Sequence, residues 1–408
     1  MKKPTSNKSR RDFIKKSVAG LAGASVLPSV LTAGPGETEV KKPAKHKMIY
    51  RTLGKTGIKV PIVSMGVMNA DNPNLVKAAL EAGIVHLDTA WYYQRGRNEE
   101  MVGQVVKGLP RDSYVVATKV VGDGMDRKTG LFTDKTTPEA FLEKFETSLK
   151  RLQLEYVDIL YLHNVVRKEA ALFKPLLDTL VKLKKQGKTK FIGVSTHRNE
   201  PEVIQAAIDS KVYDVVLTAY NFRQPHKEQV KEAIAKAAKA GIGIVAMKTQ
   251  AGVYWDKERQ HPINMKAALK WALQDENVHT AIPGFTTFDQ LDLDLSVMAD
   301  LKLTPQEIED LEKGEKKAMA GLYCQQCERC LPQCPKGLEI PTLMRSYMYA
   351  YGYRNMNAAR EALESIDLKS VPCNDCATCT VNCAMGFAIQ DKVKDIARIK
   401  DVPQEFLV

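Results

Sequence analysis

The chain has 408 residues, of which 44% are hydrophobic and 26% are charged. This composition is that of a folded protein with a sizeable core, and it excludes a disordered or fibrous chain. The net charge is +12, yet residues 1 to 47 alone hold eleven Lys and Arg against three acids, so the excess lies mainly in the N-terminal segment and nucleic-acid binding is not predicted.

The N-terminal segment has a basic start and then a short apolar run. Arg10 and Arg11 are followed closely by an aromatic and an aliphatic residue, and the apolar run covers residues 17 to 33. This pattern resembles a twin-arginine export signal, which carries proteins that are already folded. We therefore predict an export signal over residues 1 to 33, and a location in the periplasm or at the outer face of the cytoplasmic membrane.

Two alternatives to a cleaved signal remain open. Leu31 stands where a cleavage site prefers a small residue, so the segment would be retained as a membrane anchor if it is not cleaved. The other alternative is a cytoplasmic enzyme with a spurious leader. Residues 34 to 47 contain two prolines and several lysines, and they are predicted to be a linker.

Short apolar strands alternate with helical patterns through residues 48 to 302. Such units within about 250 residues predict an α/β fold, a parallel (β/α)8 TIM barrel. An open doubly wound sheet is disfavoured because no Gly-x-Gly-x-x-Gly follows the first strand. A hairpin at residues 50 to 57 is expected to close the barrel floor. The strands are predicted to begin near Ile62, Ile84, Tyr114, Val157, Lys190, Val215, Ile242 and Val278.

Four polar side chains fall at the ends of the second, third and fourth predicted strands: Asp88 with Tyr93, then Lys119, then His163. The carboxyl ends of neighbouring barrel strands share one face, so these groups can converge there. An ammonium beside a phenol lowers its pKa from about 10, and a carboxylate holds that ammonium in place. We predict that Tyr93 is the general acid and that Lys119 lowers its pKa, with Asp88 as the partner of Lys119. His163 is predicted to orient a carbonyl. The alternative is that Asp88 caps a helix and Tyr93 is a half-buried aromatic.

Residues 48 to about 300 are similar to the aldo-keto reductases. The matching pieces are LDTA at 87–90 with Tyr93 and Glu100, ATK at 117–119, LH at 162–163, GVS at 193–195, YN at 220–221 and IPG at 282–284. The resemblance implies a nicotinamide dinucleotide across the top of the barrel. It places Ser195 near the carboxamide and Tyr220 against the ring. Gly284 and Thr286 would lie near the phosphates.

The dinucleotide positions depart from the family pattern. Leu217 stands where the resemblance implies a glutamine, and Gly284 and Gln290 stand where it implies the Lys and Arg that clamp a 2′-phosphate. Asp294 replaces an adenine-binding asparagine, and an acid there would repel a 2′-phosphate. We predict NAD(H) or a weakly selective site, with NADP(H) as the alternative. Lys248 would be a replacement cation, unless it is simply solvated.

All eight cysteines lie between residues 324 and 383, in two copies of the spacing Cys-x2-Cys-x2-Cys-x3-Cys. This spacing is typical of two 4Fe-4S clusters of the bacterial ferredoxin type, in which the fourth cysteine of each run serves the other cluster. Zinc sites favour paired cysteines, and disulfides would not need a repeated spacing. The predicted ligands are Cys324, Cys327, Cys330 and Cys383 for one cluster, and Cys373, Cys376, Cys379 and Cys334 for the other.

The segment from residue 303 is predicted to be a small C-terminal helical domain that carries the two clusters. Thr304 begins a capping box, and residues 340 to 366 predict two helices between the cysteine runs, as in helical dicluster ferredoxins. The combined prediction is an oxidoreductase that interconverts a small carbonyl and an alcohol, coupled to or accompanied by electron transfer through the clusters. A redox partner protein is the further partner that the clusters would serve. The alternative is an electron-transfer subunit whose barrel only binds a partner or ligand.

Overall fold

The computed structural model describes residues 46–126, 129–316, 321–366, 368 and 372–407, with the side chains of 314–316 and 404 left aside. The predicted export signal and nearly all of the predicted linker lie outside the described residues. Residues 43 to 408 belong to one compact unit. Within the described ranges, no helix has both the length and the apolar character needed to cross a bilayer.

An antiparallel hairpin of β1 (Tyr50–Thr52) and β2 (Lys59–Pro61) closes the barrel floor, as predicted. Gly54 in its turn has φ +54°, and a Cβ atom there would lie 2.4 Å from the Gly243 nitrogen. Only glycine allows the hairpin to come this close to a barrel strand. Arg51 fastens the hairpin by donating to the carbonyl oxygens of Val278, at 2.5 Å, and Leu273, at 3.0 Å.

The barrel is a sheet of parallel strands in sequential order, and the described residues contain eight of them. Val63 bridges Ala281, and the Ser64 N–H donates to the Ala281 carbonyl at 2.8 Å, which joins the two ends of the sheet. The predicted barrel is confirmed. The strands are β3 (Met65–Gly66), β4 (His86–Asp88), β5 (Val115–Val120), β6 (Val157–Leu162), β7 (Thr189–Thr196), β8 (Val215–Ala219), β9 (Gly243–Met247) and β10 (Thr280–Ala281).

Amphipathic helices cover the outside of the barrel. The helix at Pro138–Leu152 begins at Pro138 because Thr137 caps it by accepting from the Ala140 N–H at 3.3 Å and Pro138 occupies its first turn. The barrel helices are α1 (Pro73–Glu81), α2 (Arg97–Val106), α3 (Pro138–Leu152), α4 (Lys168–Ala171), α5 (Lys174–Lys185), α6 (Glu200–Ser210), α7 (Lys227–Lys239), α8 (Met265–Leu273) and α9 (Phe288–Ser296).

Alternation along each strand divides the barrel core into two layers. Inward residues such as Ala117, Ile159 and Val245 meet Leu53 of the hairpin inside the barrel. Outward residues such as Val116 and Leu160 pack against the helices. Because successive strand residues face opposite sides, Lys119 lies on the same inward side as Ala117. Packing of the barrel therefore directs the Lys119 side chain toward the barrel axis.

The C-terminal segment is helical and has a core of its own. Its helices are α10 (Pro305–Lys316), α11 (Ile340–Tyr347), α12 (Met356–Glu364) and α13 (Ile389–Ala397), with a π-helical turn at Met348–Gly352 after α11. The capping box is confirmed, since Thr304 Oγ1 accepts from the Glu307 N–H at 3.2 Å and the Glu307 carboxylate accepts from the Thr304 N–H at 2.8 Å. The two helices predicted within residues 340 to 366 are also confirmed.

The C-terminal segment packs on the loops that follow the barrel strands. Phe222 and Ala251, which follow β8 and β9, form one apolar cluster with Leu311 and Tyr323. The Gln325 amide donates to the carbonyl of Arg223, also in the loop after β8, at 3.3 Å. Arg198 after β7 pairs with Glu328, and Arg95 after β4 pairs with Glu364 at 2.6 Å. Because all these loops lie at the carboxyl ends of the strands, the segment covers the mouth of the barrel.

Candidate active site and cluster sites

Lys119 is the centre of a buried polar group at the barrel mouth. Its Nζ donates to Asp88 Oδ1 at 2.5 Å and to the Thr89 carbonyl at 2.6 Å, and it lies 3.3 Å from the Tyr93 hydroxyl. Lys119 and Asp88 are each 1% exposed. The structure thus brings Asp88, Tyr93 and Lys119 together as the sequence predicted.

A strained turn positions Tyr93. The residues after it, Gln94 and Arg95, have φ values of 50° and 56°, in the left-handed region that L residues rarely adopt. Gln94 holds this conformation by donating to the carbonyl oxygens of Met68, at 3.0 Å, and Ala70, at 3.2 Å. Strain of this kind persists only where surrounding contacts impose it, and it is common at functional sites.

His163 lies directly after β6, beside the two tyrosines of this turn. Its ring stacks on Tyr92 with centroids 5.1 Å apart, and it meets the Tyr93 ring edge-on at 6.1 Å. Burial lowers the pKa of His163 well below its usual value, and the nearby Lys119 and Lys248 lower it further. The imidazole is therefore neutral at neutral pH, and its buried Nδ1 has no hydrogen-bond partner within the described chain.

The predicted tuning of Tyr93 is wrong in direction. Burial raises the pKa of Tyr93 well above its usual value, and the Asp88 carboxylate and Tyr349 raise it further. Lys119 does not reverse this shift, although its Nζ lies 3.3 Å from the Tyr93 hydroxyl. Burial also raises the pKa of Asp88, although Lys119 opposes that shift. The Tyr93 phenol is consequently protonated at neutral pH and is available as a proton donor.

Three of the four residues predicted to bind a dinucleotide lie on the mouth side of the barrel. Ser195, near the end of β7, accepts from the Asn164 N–H at 3.0 Å, next to His163. Gly284 and Thr286 are exposed between β10 and the N-terminus of α9, and a Cβ atom on Gly284 would meet only the Gly66 carbonyl, at 3.5 Å. A glycine loop before a helix N-terminus suits a phosphate, so these positions fit the expected group.

Tyr220 is not brought to this site. Its ring packs against Trp271 with centroids 4.8 Å apart, and its hydroxyl donates to Asp275 at 3.4 Å. The side chain is 2% exposed and belongs to the core layer between strands and helices. The structure therefore contradicts the role implied for Tyr220. The residue lies in the outer core, because its side chain points toward the helices at the end of the strand.

The predicted repulsion between Asp294 and a 2′-phosphate also needs correction. Asp294 is 2% exposed and accepts from the Gln250 amide at 2.9 Å. Burial raises the pKa of Asp294 to about 8, so the carboxyl is mainly neutral at neutral pH. Leu217 lies in the inner barrel core, and Gln290 accepts from the Thr286 N–H at 2.8 Å. The departures from the family pattern remove cations without adding an exposed acid.

The first predicted cysteine group surrounds one cavity with apolar walls that include Ile340, Met344 and Phe387. The cavity is lined by Cys324, Cys327, Cys330 and Cys383, the predicted set that combines both sequence runs. Backbone N–H groups of Gln326 and Met385 donate to the sulfur atoms of Cys324 and Cys383, each at 3.4 Å. Burial raises the pKa of Cys324 to about 11 and that of Cys330 to about 12, values that bound iron would overcome.

The second predicted group is also adjacent in space. Cys376, Cys379 and Cys334 all lie close enough to Cys373 to raise its pKa, after burial as the main cause. In the part of the chain that the structure describes, no three His, Cys, Asp or Glu side chains are close enough to hold one metal ion. Four thiols around a shared cavity fit a 4Fe-4S cluster better than a single ion.

Sequence reasoning missed the contribution of the C-terminal segment to the barrel mouth. Arg345 of α11 is close enough to Tyr92, His197 and Lys248 for its charge to shift their pKa values. Tyr349 of the π-helical turn is close enough to Tyr93 to raise its pKa. The tyrosines crowded between the two cysteine runs are a sequence signal of this contribution. The direction in which their side chains point, however, depends on how the C-terminal segment packs.

Comparison with known proteins agrees with this two-part organisation. Residues 63–267 match the Aldo/keto reductase family, and residues 323–388 match the 4Fe-4S dicluster domain. The chain is 25% identical to an L-galactose dehydrogenase of Arabidopsis thaliana over 309 residues, which cover 66% of this chain and 94% of the relative. It is 29% identical to an aldo-keto reductase of Mycobacterium sp. (strain KMS) over 280 residues, covering 64% and 92%.

A solved aldo-keto reductase from Bacillus halodurans has the same barrel fold, with a TM-score of 0.53 and 24% identity. The match covers 69% of this chain and 100% of that protein. The barrel, the family match and the cysteine groups together carry the assignment. The chain belongs to the aldo-keto reductase family of oxidoreductases, with a 4Fe-4S dicluster domain after its barrel.

Proposed function

We propose that this chain interconverts a carbonyl and an alcohol at Asp88, Tyr93, Lys119 and His163. The observation that carries the proposal is the position of Lys119 Nζ, 2.5 Å from Asp88 and 3.3 Å from the Tyr93 hydroxyl, beside a neutral His163. A buried phenol, an ammonium and a neutral imidazole are the groups that protonation of a reduced carbonyl oxygen requires.

In this mechanism the substrate carbonyl oxygen lies between the Tyr93 hydroxyl and His163. The neutral imidazole donates a hydrogen bond that orients the carbonyl, and the Tyr93 phenol delivers its proton as negative charge develops on the oxygen. The phenolate that forms is stabilised by the Lys119 ammonium, which Asp88 holds in position. Alcohol oxidation follows the same steps in reverse, with Tyr93 taking the proton back.

A nicotinamide dinucleotide, when bound, supplies or accepts the hydride at the carbonyl carbon. Ser195, Gly284 and Thr286 would hold it. Since Gly284 and Gln290 offer no cation for a 2′-phosphate, NAD(H) is preferred over NADP(H). Titration of purified protein with each dinucleotide tests this preference. Much tighter binding of NADPH than of NADH would contradict it.

Substitution of Tyr93 by Phe tests the role of the phenol. Removing the proton donor is expected to lower kcat about 100- to 10,000-fold. Tyr92→Phe is the matched control, because Tyr92 stacks on the same His163 but makes no hydrogen bond to Lys119 in the described structure. Full turnover in Tyr93→Phe would refute this mechanism and favour the electron-transfer subunit with a barrel that only binds.

The clusters are proposed to exchange electrons with the barrel site. Cys324 lies close enough to Lys248 to affect its pKa, and Lys248 similarly affects His163, so two side chains connect the first cysteine group with the site. A hydride carries two electrons and each cluster accepts one, so this exchange requires a one-electron carrier, such as a bound flavin, that divides the pair between the two clusters. Addition of substrate alcohol and NAD to anaerobic protein is then expected to reduce both clusters, seen by electron paramagnetic resonance. A spectrum that is unchanged during turnover would assign the clusters to structure or to a separate partner protein.

Export by the twin-arginine route is proposed from residues 9 to 16. The folded protein would cross the cytoplasmic membrane with its clusters already inserted, and it would act in the periplasm or at the outer face of that membrane. Cell fractionation of the full chain, with Arg10→Lys and Arg11→Lys together as the comparison, tests the route. Protein that remains in the cytoplasm in both cases would support the spurious-leader alternative.

A further inference from the structure

The region between the barrel mouth and the C-terminal segment, here called the mouth region, contains two cations from different parts of the chain. Lys248 follows β9 and has φ +57°, which turns the chain at the strand end. Arg345 lies on α11. Tyr92 lies near charged or polar groups from both parts and is 46% exposed, so solvent reaches the edge of the mouth region.

Neither of these cations has a partner among the described residues. Neighbouring arginines do: Arg95 pairs with Glu364, and Arg198 pairs with Glu328. No hydrogen bond or ion pair involves the side chain of Lys248 or Arg345 in the described chain. Burial, followed by the charge of Arg345, lowers the pKa of Lys248 to about 8, as expected for two positive charges that lie near each other.

The nearby acids are already engaged. Glu200 accepts from the Gln224 amide at 2.9 Å and contacts the His226 ring at 2.7 Å. Asp88 is held by Lys119. The mouth region therefore holds two cations that form no ion pair, in a partly buried place where positive charge is costly unless a ligand balances it.

Buried polar atoms at the same place also lack partners. Within the described residues, His163 Nδ1, His197 Nδ1 and Thr249 Oγ1 are buried without a hydrogen bond. His163 and Thr249 are 6% and 1% exposed, and Thr249 directly follows Lys248. Because native proteins rarely leave such groups unsatisfied, these atoms are an independent indication that a polar ligand completes the site.

We propose that the mouth region binds an anionic group, a carboxylate or phosphate, through Arg345 and Lys248, so that the substrates are carbonyl compounds or alcohols that carry such a group. This inference rests on the proposed function, since Tyr93 and His163 would hold the carbonyl oxygen of the same molecule. Arg345 supplies a planar pair of donors that suits a carboxylate. The substrate site is then complete only when the C-terminal segment is folded on the barrel.

A second molecule offers the same kind of anion, namely the diphosphate of a dinucleotide. Lys248 is near enough to be considered for it, because it directly follows β9, the strand next to β10. The position of Arg345 favours the substrate. Its charge acts on His197 and on Tyr92, which stacks on His163, and Tyr349 one turn later acts on Tyr93, so Arg345 lies beside the reacting groups. The dinucleotide loop with Gly284 and Thr286 follows β10 instead.

Turnover of matched substrates is the first test, with phenylglyoxylate as the anion and its methyl ester as the neutral analogue. The holoenzyme is expected to favour phenylglyoxylate in kcat/KM, and Arg345→Gln is expected to lower that kcat/KM about 10- to 100-fold with little change for the ester. Arg354→Gln is the control, because Arg354 is an exposed cation of the same segment. An equal loss for both substrates, or equal losses in both variants, would overturn the proposal.

Direct binding separates this inference from the proposed function. Benzoate and NADH are each titrated into the holoenzyme, into Tyr93→Phe and into Arg345→Gln, with cluster absorbance as the check of folding. Arg345→Gln is expected to lose benzoate affinity, whereas Tyr93→Phe keeps it even if turnover fails or proves independent of the phenol. Loss of NADH affinity with unchanged benzoate affinity would assign the cations to the dinucleotide and overturn the substrate proposal.

Discussion

The barrel and the C-terminal segment are held together in different ways. In the barrel, continuous strand pairing and a large two-layer core hold the strands and helices together. The C-terminal core is smaller and includes Cys330 and Cys373, whose thiols lie beside other cysteines. The barrel is therefore expected to fold alone, whereas the C-terminal segment needs its clusters.

The difference explains why two such parts form one unit. A segment that depends on clusters gives the barrel Arg345 and Tyr349 at its mouth, and the barrel in turn covers Tyr323 and Leu311 of the segment. Cluster insertion would then control whether the barrel site is complete. The predictions below test this comparison, beginning with the largest expected effect.

Loss of a cluster ligand is expected to unfold the C-terminal segment and spare the barrel. Cys330→Ala removes a buried ligand of the first group, and amide hydrogen exchange is expected to rise throughout residues 321 to 407 while the barrel strands stay protected. Exchange measured by mass spectrometry, segment by segment, checks this. Equal loss of protection in the barrel would show that the two parts fold only together.

The ligand sets themselves can be distinguished by the same approach. Cys383→Ala is expected to have the cluster spectrum of Cys330→Ala, although the two residues belong to different sequence runs. Cys334→Ala is expected to match Cys379→Ala instead. A Cys383→Ala spectrum that matches that of Cys379→Ala instead would refute the assignment in which each cluster takes its fourth ligand from the other run.

Within the barrel, Lys119→Met is expected to destabilise the fold by about 3–5 kcal/mol, because Asp88 would remain buried without its counterion. Turnover is expected to be lost as well. Urea unfolding and steady-state kinetics measure the two effects. The double variant with Asp88→Asn should recover stability but not activity, and a Lys119→Met protein as stable as the wild type would mean that Asp88 is protonated.

Asp294→Asn is expected to make the protein more stable at pH 8 than the wild type, by at least about 1 kcal/mol. The pKa of Asp294 is raised to about 8 in the folded chain, so the stability that its neutral form provides is lost as pH rises from about 4 to 8. Asparagine keeps the acceptor for Gln250 and does not ionise. The difference should shrink as the pH is lowered from 8 toward 4, and an equal gain at all pH values would contradict this cause.

The smallest effect is expected at the surface contact between the two parts. Glu364→Gln weakens the ion pair with Arg95, whose side chain is 64% exposed, and should cost less than about 1 kcal/mol. High salt should abolish the difference, as measured by thermal unfolding. A larger loss would mean that this contact, rather than the apolar cluster around Phe222, holds the segment on the barrel.

Much of the fold could be predicted because its signals are local. Apolar strands alternating with amphipathic helices predict the barrel, and Thr304 with Glu307 predicts the start of α10. The cysteine spacing likewise predicts how the two runs share their ligands. Asp88, Lys119 and His163 converge because parallel barrel strands must end at one face, so position along the chain is enough to place them.

Tertiary packing decided the direction of side chains and the protonation of buried groups. Tyr220 fills the outer core, Asp294 is neutral, and the pKa of Tyr93 is raised, because each outcome depends on neighbours that are distant in sequence. Arg345 reaches the barrel mouth only through docking of the C-terminal segment. The sequence by itself therefore determined which chemistry is present, and the tertiary structure decided which charges surround it, since desolvation and long-range contacts leave no local pattern in the chain.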